Sequence, residues 1–143
     1  GIGGAANAGA HAAALRALAA KGYASERDLF ACREALRTLR DGGPEAMTAF
    51  VAAYEEDDDD AWRNSPLRNL AFLMAEIVGS ASGVPLRRKA VELATDVYAP
   101  ALQRDPDLAR LLAAVAAKHG LAPPRPAAPA NPLAAMLGNM MQA

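Results

Sequence analysis

The placement of proline constrains this chain more than any other feature. Pro44, Pro66, Pro85 and Pro106 each head a stretch whose apolar residues recur at three- and four-residue steps. Proline has no amide proton and clashes with the turn before it, so it disrupts a helix interior but is pre-organised for the first helical position. Four helix starts are thereby marked. No segment sustains a two-residue alternation and β-branched residues are sparse, so the chain reads as all-α.

Six helices are expected. The first covers Ala10 to Lys21, with Leu15 and Leu18 inward and Gly22 as a left-handed cap. Ser25 caps the second, with Asp28 at capping-box spacing. Its apolar stripe is Leu29, Cys32, Leu36 and Leu39, flanked by Phe30 and Ala35, and Asp41-Gly42-Gly43 ends it. Pro44 opens the third, whose Met47, Phe50, Val51 and Tyr54 follow the amphipathic template. Ser65-Pro66 opens the fourth; Leu67, Leu70, Phe72, Leu73, Met74, Ile77 and Val78 make it apolar nearly all round, as for a helix between layers. After a Gly79 to Gly83 loop, the fifth runs from Pro85 to Tyr98 with Leu86, Val91, Leu93 and Val97. The sixth runs from Pro106 to His119, with Leu108, Leu111, Leu112 and Val115 inward and Gly120 as its cap.

Between the last two lies an elbow, Tyr98-Ala99-Pro100-Ala101-Leu102-Gln103-Arg104-Asp105-Pro106. Pro100 stops one helix, while Asp105 can cap the next and Pro106 can open it. Tyr98 and Leu102 are its apolar pins. Loop lengths group the helices into pairs starting near Ala10, Pro44 and Pro85, a period of roughly 35 to 40 residues that suits a tetratricopeptide-like helix-pair solenoid. The tetratricopeptide consensus itself is missing, and a compact six-helix bundle is the alternative. The expected organisation is a flexible segment over 1–9, the helical solenoid domain over 10–120, a proline-rich linker over 121–132 and a methionine-rich apolar tail over 133–143. Met136 and Leu137 in that tail suit adaptable apolar contact, with the scaffold itself or with a partner.

Composition excludes several functions. With 143 residues and 52% apolar content the chain can build one core, although about a quarter of it is alanine. A formal net charge of −1 gives no electrostatic case for nucleic acid or an anionic membrane. No apolar run reaches the roughly 20 residues that cross a bilayer. One cysteine, Cys32, precludes an internal disulfide and fits a reducing compartment. Opening without methionine in Gly1-Ile2-Gly3-Gly4, the sequence reads as part of a longer or processed protein.

Chemistry-bearing patterns are scarce. His11 and His119 lie at opposite ends, Cys32 reads as a core residue, and no spacing suits a metal or a cofactor. The acidic run Glu55-Glu56-Asp57-Asp58-Asp59-Asp60 lacks the alternation and glycine of a calcium loop and reads as a solvated loop. Arg104 is placed better than Arg87-Arg88-Lys89 to offset it. Trp62, behind the run, either covers helix ends or belongs to a binding surface.

Together these features resemble subunit four of the guided-entry-of-tail-anchored-proteins (GET) pathway, the transmembrane-recognition-complex subunit family, over its C-terminal half. The residues concerned are Gly22-Tyr23, Glu26, Asp28-Leu29-Phe30, Arg33, Pro66-Leu67-Arg68-Asn69, Phe72-Leu73, Gly120-x-x-Pro123-Pro124 and Leu137-Gly138-Asn139. The elbow Tyr98-x-Pro100-x-Leu102-x-Arg104-Asp105-Pro106 is the strongest part. The chain departs from the family in Lys118 and His119, where relatives are aromatic, and in its acidic run.

The resemblance implies a cytosolic α-solenoid adaptor without catalysis or cofactor, which helps hand tail-anchored membrane proteins to a targeting ATPase. The half seen here would hold the N-terminal segment of a ubiquitin-like-domain partner; the ATPase would be contacted by the half largely missing. Trp62, Phe72, Tyr98, Leu102, Met136 and Leu137 are the expected partner contacts or supports, around a groove between the last three helices and the loop bearing Trp62. The alternative is a generic helical-repeat scaffold with an unrelated partner.

Overall fold

The structure, a computed structural model, describes residues 8–14, 26–56 and 60–123. Leu15, Leu18, Gly22, Ser25, Asp57 to Asp59, Met136 and Leu137 lie outside the described residues. The helices are α1 (8–14), α2 (Arg27–Tyr54), α3 (Asp60–Arg63), α4 (Pro66–Gly79), α5 (Val84–Val97), α6 (Ala99–Leu102) and α7 (Pro106–Lys118). No strand occurs among the described residues. The fold is all-α.

The second and third expected helices are the two limbs of α2, separated at Gly43, where the backbone leaves the helical conformation. Gly43 has φ 84° and ψ −176°, a conformation that side-chain-bearing residues avoid. A straight helix of 28 residues would run about 42 Å. Instead its two ends converge: Tyr54 packs edge-on against Trp62 at 6.3 Å, and Ser65, three residues further on, bonds to Asp28. The chain therefore doubles back at Gly43. Pro44 opens the returning limb, and Gly42 permits close approach there, since a Cβ would lie 2.6 Å from that of Ala46.

The two limbs supply much of the core. Ala31, Cys32, Ala35, Leu36 and Leu39 are buried on the outgoing limb, and Met47, Phe50, Val51 and Tyr54 on the returning one. Of the expected inner stripe Cys32, Leu36 and Leu39 are buried, while Leu29 is only half-buried and its neighbours Asp28 and Ala31 face inward. His11 secures α1 by stacking on Phe50 at 5.0 Å and meeting Glu34 at 2.8 Å.

α4 adds Leu67, Leu70, Ala71, Met74, Ala75 and Ile77. Ser65 caps it by accepting from the Leu67 amide at 3.1 Å. Burial is not all-round, since Phe72, Leu73 and Val78 are half-buried. α5 ends at Val97; Tyr98 then leads into the single turn α6, with Pro100 in its first turn. Asp105 caps α7 through the Asp107 amide at 3.0 Å.

At the other end of α7, Gly120 has φ 73°, the Leu121 amide donates to the Ala116 carbonyl and the Gly120 amide to that of Ala117. This is the paired termination that a left-handed glycine allows, and buried Leu121 anchors it.

α2 packs most extensively against α4 and α7, while α5 meets α4 and, more sparsely, α7. α7 also meets the outgoing limb of α2, where Arg33 pairs with Asp105 and His119 bonds to the Leu39 carbonyl.

Candidate functional site

Four of the residues that carry the resemblance, Asp28, Arg33, Arg104 and Asp105, meet at one polar hub. Asp28, nearly buried, accepts from Ser65 Oγ at 2.7 Å and from both terminal nitrogens of Arg104, at 2.6 and 2.9 Å. Beside it, Arg33 pairs with Asp105 at 3.0 Å. These crossed pairs tie the start of α2 to the caps of α4 and α7 and to the elbow. Burial alone would raise the Asp28 carboxyl, but bonds from Arg104 and Ser65, with the charge of Arg104, outweigh it and hold it below the ordinary carboxylate range. Asp28 is thus the counter-ion of a residue 76 positions away, and its local spacing gave no sign of that.

Other reactive groups are built into the fold. Burial pushes the Cys32 thiol up to about 12, so it stays protonated and unreactive. His119 Nε2 lies 3.0 Å from the Leu39 carbonyl, which can only accept, so that nitrogen carries the proton. Among the described residues no group of three or more His, Cys, Asp or Glu is placed to hold a metal ion, and no helix is long and apolar enough to cross a membrane.

The cations sort differently from expectation. Arg104 grips Asp28, while the acidic run is tied down at Glu55 by Arg68, by Arg63 on its carbonyl at 2.8 Å and by Trp62 Nε1 at 3.0 Å. Arg87 reaches back to the Ile77 and Val78 carbonyls at 2.9 and 2.6 Å. Those oxygens lie in the last turn of α4, where Ile77 also accepts from the Ser80 amide at 3.3 Å, so Arg87 serves as a side-chain cap for the preceding helix.

Asp28 joins the start of α4 to the elbow, bringing Trp62, Tyr98 and Leu102 to one end of the bundle. Trp62 is fully buried and Leu102 nearly so. Trp62 packs edge-on against Tyr54 and donates to Glu55 at the end of α2. Tyr98 is half-buried against the core. Phe72, also half-buried, lies under the Arg68 guanidinium at 4.7 Å.

The free apolar surface lies on α5. Leu86 is 65% exposed, Leu93 52% and Val97 70%, with Val84 at 40%. Ala94 is the one buried residue of that helix. Leu86, Ala90, Leu93 and Val97 are spaced four, three and four apart, so they form one longitudinal row. The row borders a cleft of about 220 Å³ between α4 and α5, where Leu73 and Ile77 face Leu86 and Ala90. On the other flank of α5, Val91 and Thr95 with Leu112 and Ala116 line a larger groove of about 510 Å³ against α7. Sequence reasoning identified these residues as apolar; which face they occupied depended on the small residues Ala90 and Ala94 lying nearer the core.

Comparison with known proteins gives no match: no family model, no curated protein and no solved structure is similar to the chain.

Proposed function

We propose that the chain is a non-catalytic adaptor that holds a partner segment on the outer face of α5, beside the α4–α5 cleft. The observation that carries this reading is the row of Leu86, Leu93 and Val97, more than half exposed on a helix whose buried residue is an alanine. Large apolar side chains in register on a surface helix cost solvation free energy unless something covers them. An amphipathic segment laid along such a row is a common mode of peptide recognition.

The resemblance supplies the partner and pathway of this proposal: the N-terminal segment of a ubiquitin-like-domain subunit, in cytosolic delivery of tail-anchored membrane proteins. In that reading the chain is the partner-holding part of a longer helix-pair solenoid, and the targeting ATPase is engaged elsewhere. The resemblance residues Asp28, Arg33, Arg104 and Asp105 then act at one remove, fixing α4 and the elbow so that α5 is presented.

Calorimetric titration of the chain with the partner's N-terminal segment tests the assignment. Saturable binding is expected, with Leu93→Glu weakening it at least about thirtyfold, the 2 kcal/mol scale of a central anchor. A folded chain that binds nothing overturns the partner assignment. Binding that is indifferent to Leu93→Glu overturns the α5 surface.

A further inference from the structure

The groove between α5 and α7 lies on the other side of α5 from that row. Residues two apart on a helix differ by about 200°, so Thr95 points away from both Leu93 and Val97. The groove is enclosed by Val91, Thr95, Leu112 and Ala116, with Leu121 and Pro123 forming one wall. Its volume of about 510 Å³ is in the range of sites that take up ligand-sized groups, roughly 300–1,000 Å³. Arg88 also lines it and has a buried Nε with no hydrogen-bond partner. That donor calls for an acceptor carried by whatever fills the groove.

Pro123 is the last described residue, so the chain leaves the described structure from the groove's own wall. Residues 124–143 follow. Their apolar members Leu133, Met136, Leu137, Met140 and Met141 recur at steps of three, one, three and one, the stripe of an amphipathic helix. Segment 133–141 carries no charge, and Asn139 at the edge of the stripe offers a side-chain carbonyl.

We propose that Leu133–Met141 of this same chain is the occupant, its methionine-rich stripe seated in the α5–α7 groove. Geometry permits it. The nine residues 124–132, rich in proline, reach about 28 Å when extended, and α7 is about 20 Å long. Tethering raises the effective concentration of the segment to the millimolar range, so even a weak intrinsic affinity keeps it seated. Methionine suits an irregular apolar floor. A nine-residue helix interrupted by Gly138 is marginal alone in water, so such a stripe has little reason to form without a groove. The tail then covers one flank of α5 and leaves the other to an outside partner.

Crosslinking in the full chain tests this without any partner, so its outcome is independent of the adaptor reading. Thr95→Cys and Met140→Cys are introduced together and treated with a short bis-maleimide at high dilution, and the control pair is Leu93→Cys with Met140→Cys. Cys32 is buried and unreactive and stays silent. The expected result is at least about tenfold more intramolecular adduct for the Thr95 pair, independent of protein concentration. Ala113→Trp on the exposed lip of the groove should remove that excess. Leu137→Asp, a change outside the described helices, should remove it too. Equal adduct from the two pairs overturns the proposal, as does adduct that rises with concentration (docking on a second copy). So does an excess that survives Leu137→Asp.

Discussion

α4 and α5 are equally long and both apolar in pattern, yet they use their side chains in opposite ways. α4 points Leu67, Leu70, Met74 and Ile77 into the space between the limbs of α2. α5 approaches the bundle through Ala90, Val91 and Ala94 and turns Leu86, Leu93 and Val97 outward. One helix is an interior wall and the other a presented surface. Apolar content therefore measures how much a helix can bury, and the position of its smallest residues decides which side is buried. An alanine contributes little area but lets a backbone approach closely, which fixes the rotation of the helix. In α5 that rotation is reinforced by polar chemistry, because Arg87 is held to the last carbonyls of α4.

The largest test of the contrast compares two leucine truncations by urea unfolding. Leu70→Ala should cost about 3 kcal/mol through lost burial and a cavity. Leu93→Ala should stay within about 0.5 kcal/mol, as at most exposed positions. Equal costs would collapse the distinction between wall and presented surface.

Next in size is the hub that holds both helices in place. Arg104→Ala leaves the nearly buried Asp28 carboxylate with the bonds from Ser65 and the Leu29 amide but without its counter-charge, and should lose about 2 kcal/mol in the same unfolding measurement. Adding Asp28→Asn should cost less than the sum of the two single changes, since the pair acts as a unit. Full additivity would break the hub.

Arg87→Ala sharpens the comparison locally. It removes the capping bonds to Ile77 and Val78, an effect of about 1 kcal/mol. Hydrogen exchange should speed up at the start of α5 and the end of α4 and stay slow through Leu67–Met74. Uniform acceleration would mean that the two helices open as one.

The smallest effect is on acid stability. The Asp28 carboxyl titrates lower in the folded chain than in the unfolded one, where it lies near 3.9. The unfolded state therefore binds more protons in this range, and stability rises with pH. The Asp28 contribution is fully present above about pH 4 and drains away as pH falls through the folded value. The difference in unfolding free energy between the native chain and Asp28→Asn should shrink on acidification; a constant difference would detach Asp28 from the titration.

Local punctuation was the part of the fold most legible in the sequence. Pro66, Pro85 and Pro106 stand in the first turns of α4, α5 and α7, Pro44 follows the break at Gly43, and Gly120 ends α7 in the left-handed conformation. These outcomes depend on a residue and its immediate neighbours, so short patterns reveal them. Pro100 was legible only as a stop, while the chain also makes a helical turn there before Asp105.

Long-range assignments were not legible. Asp28 has the spacing of a capping box, but its carboxylate answers Arg104, and no local pattern encodes a partner so distant. Trp62 could be read as a cover over helix ends or as part of a binding surface, and it is fully buried, because Tyr54 and Glu55 fold back to meet it. The outward row of α5 needed the position of α4 before its direction could be known.

The separation between Asp28 and Arg104 also bears on how the molecule is made. Synthesis proceeds from the N-terminus, so the anion is complete long before its cation has been added. Until Arg104 emerges, closing the α2–α4 interface would trap a carboxylate without its counter-charge, at the same cost of about 2 kcal/mol. A chain that stops before residue 104 has every large side chain of α4 but lacks both the partner charge of Asp28 and the buried face of α7, so the α2–α4 interface is left incomplete.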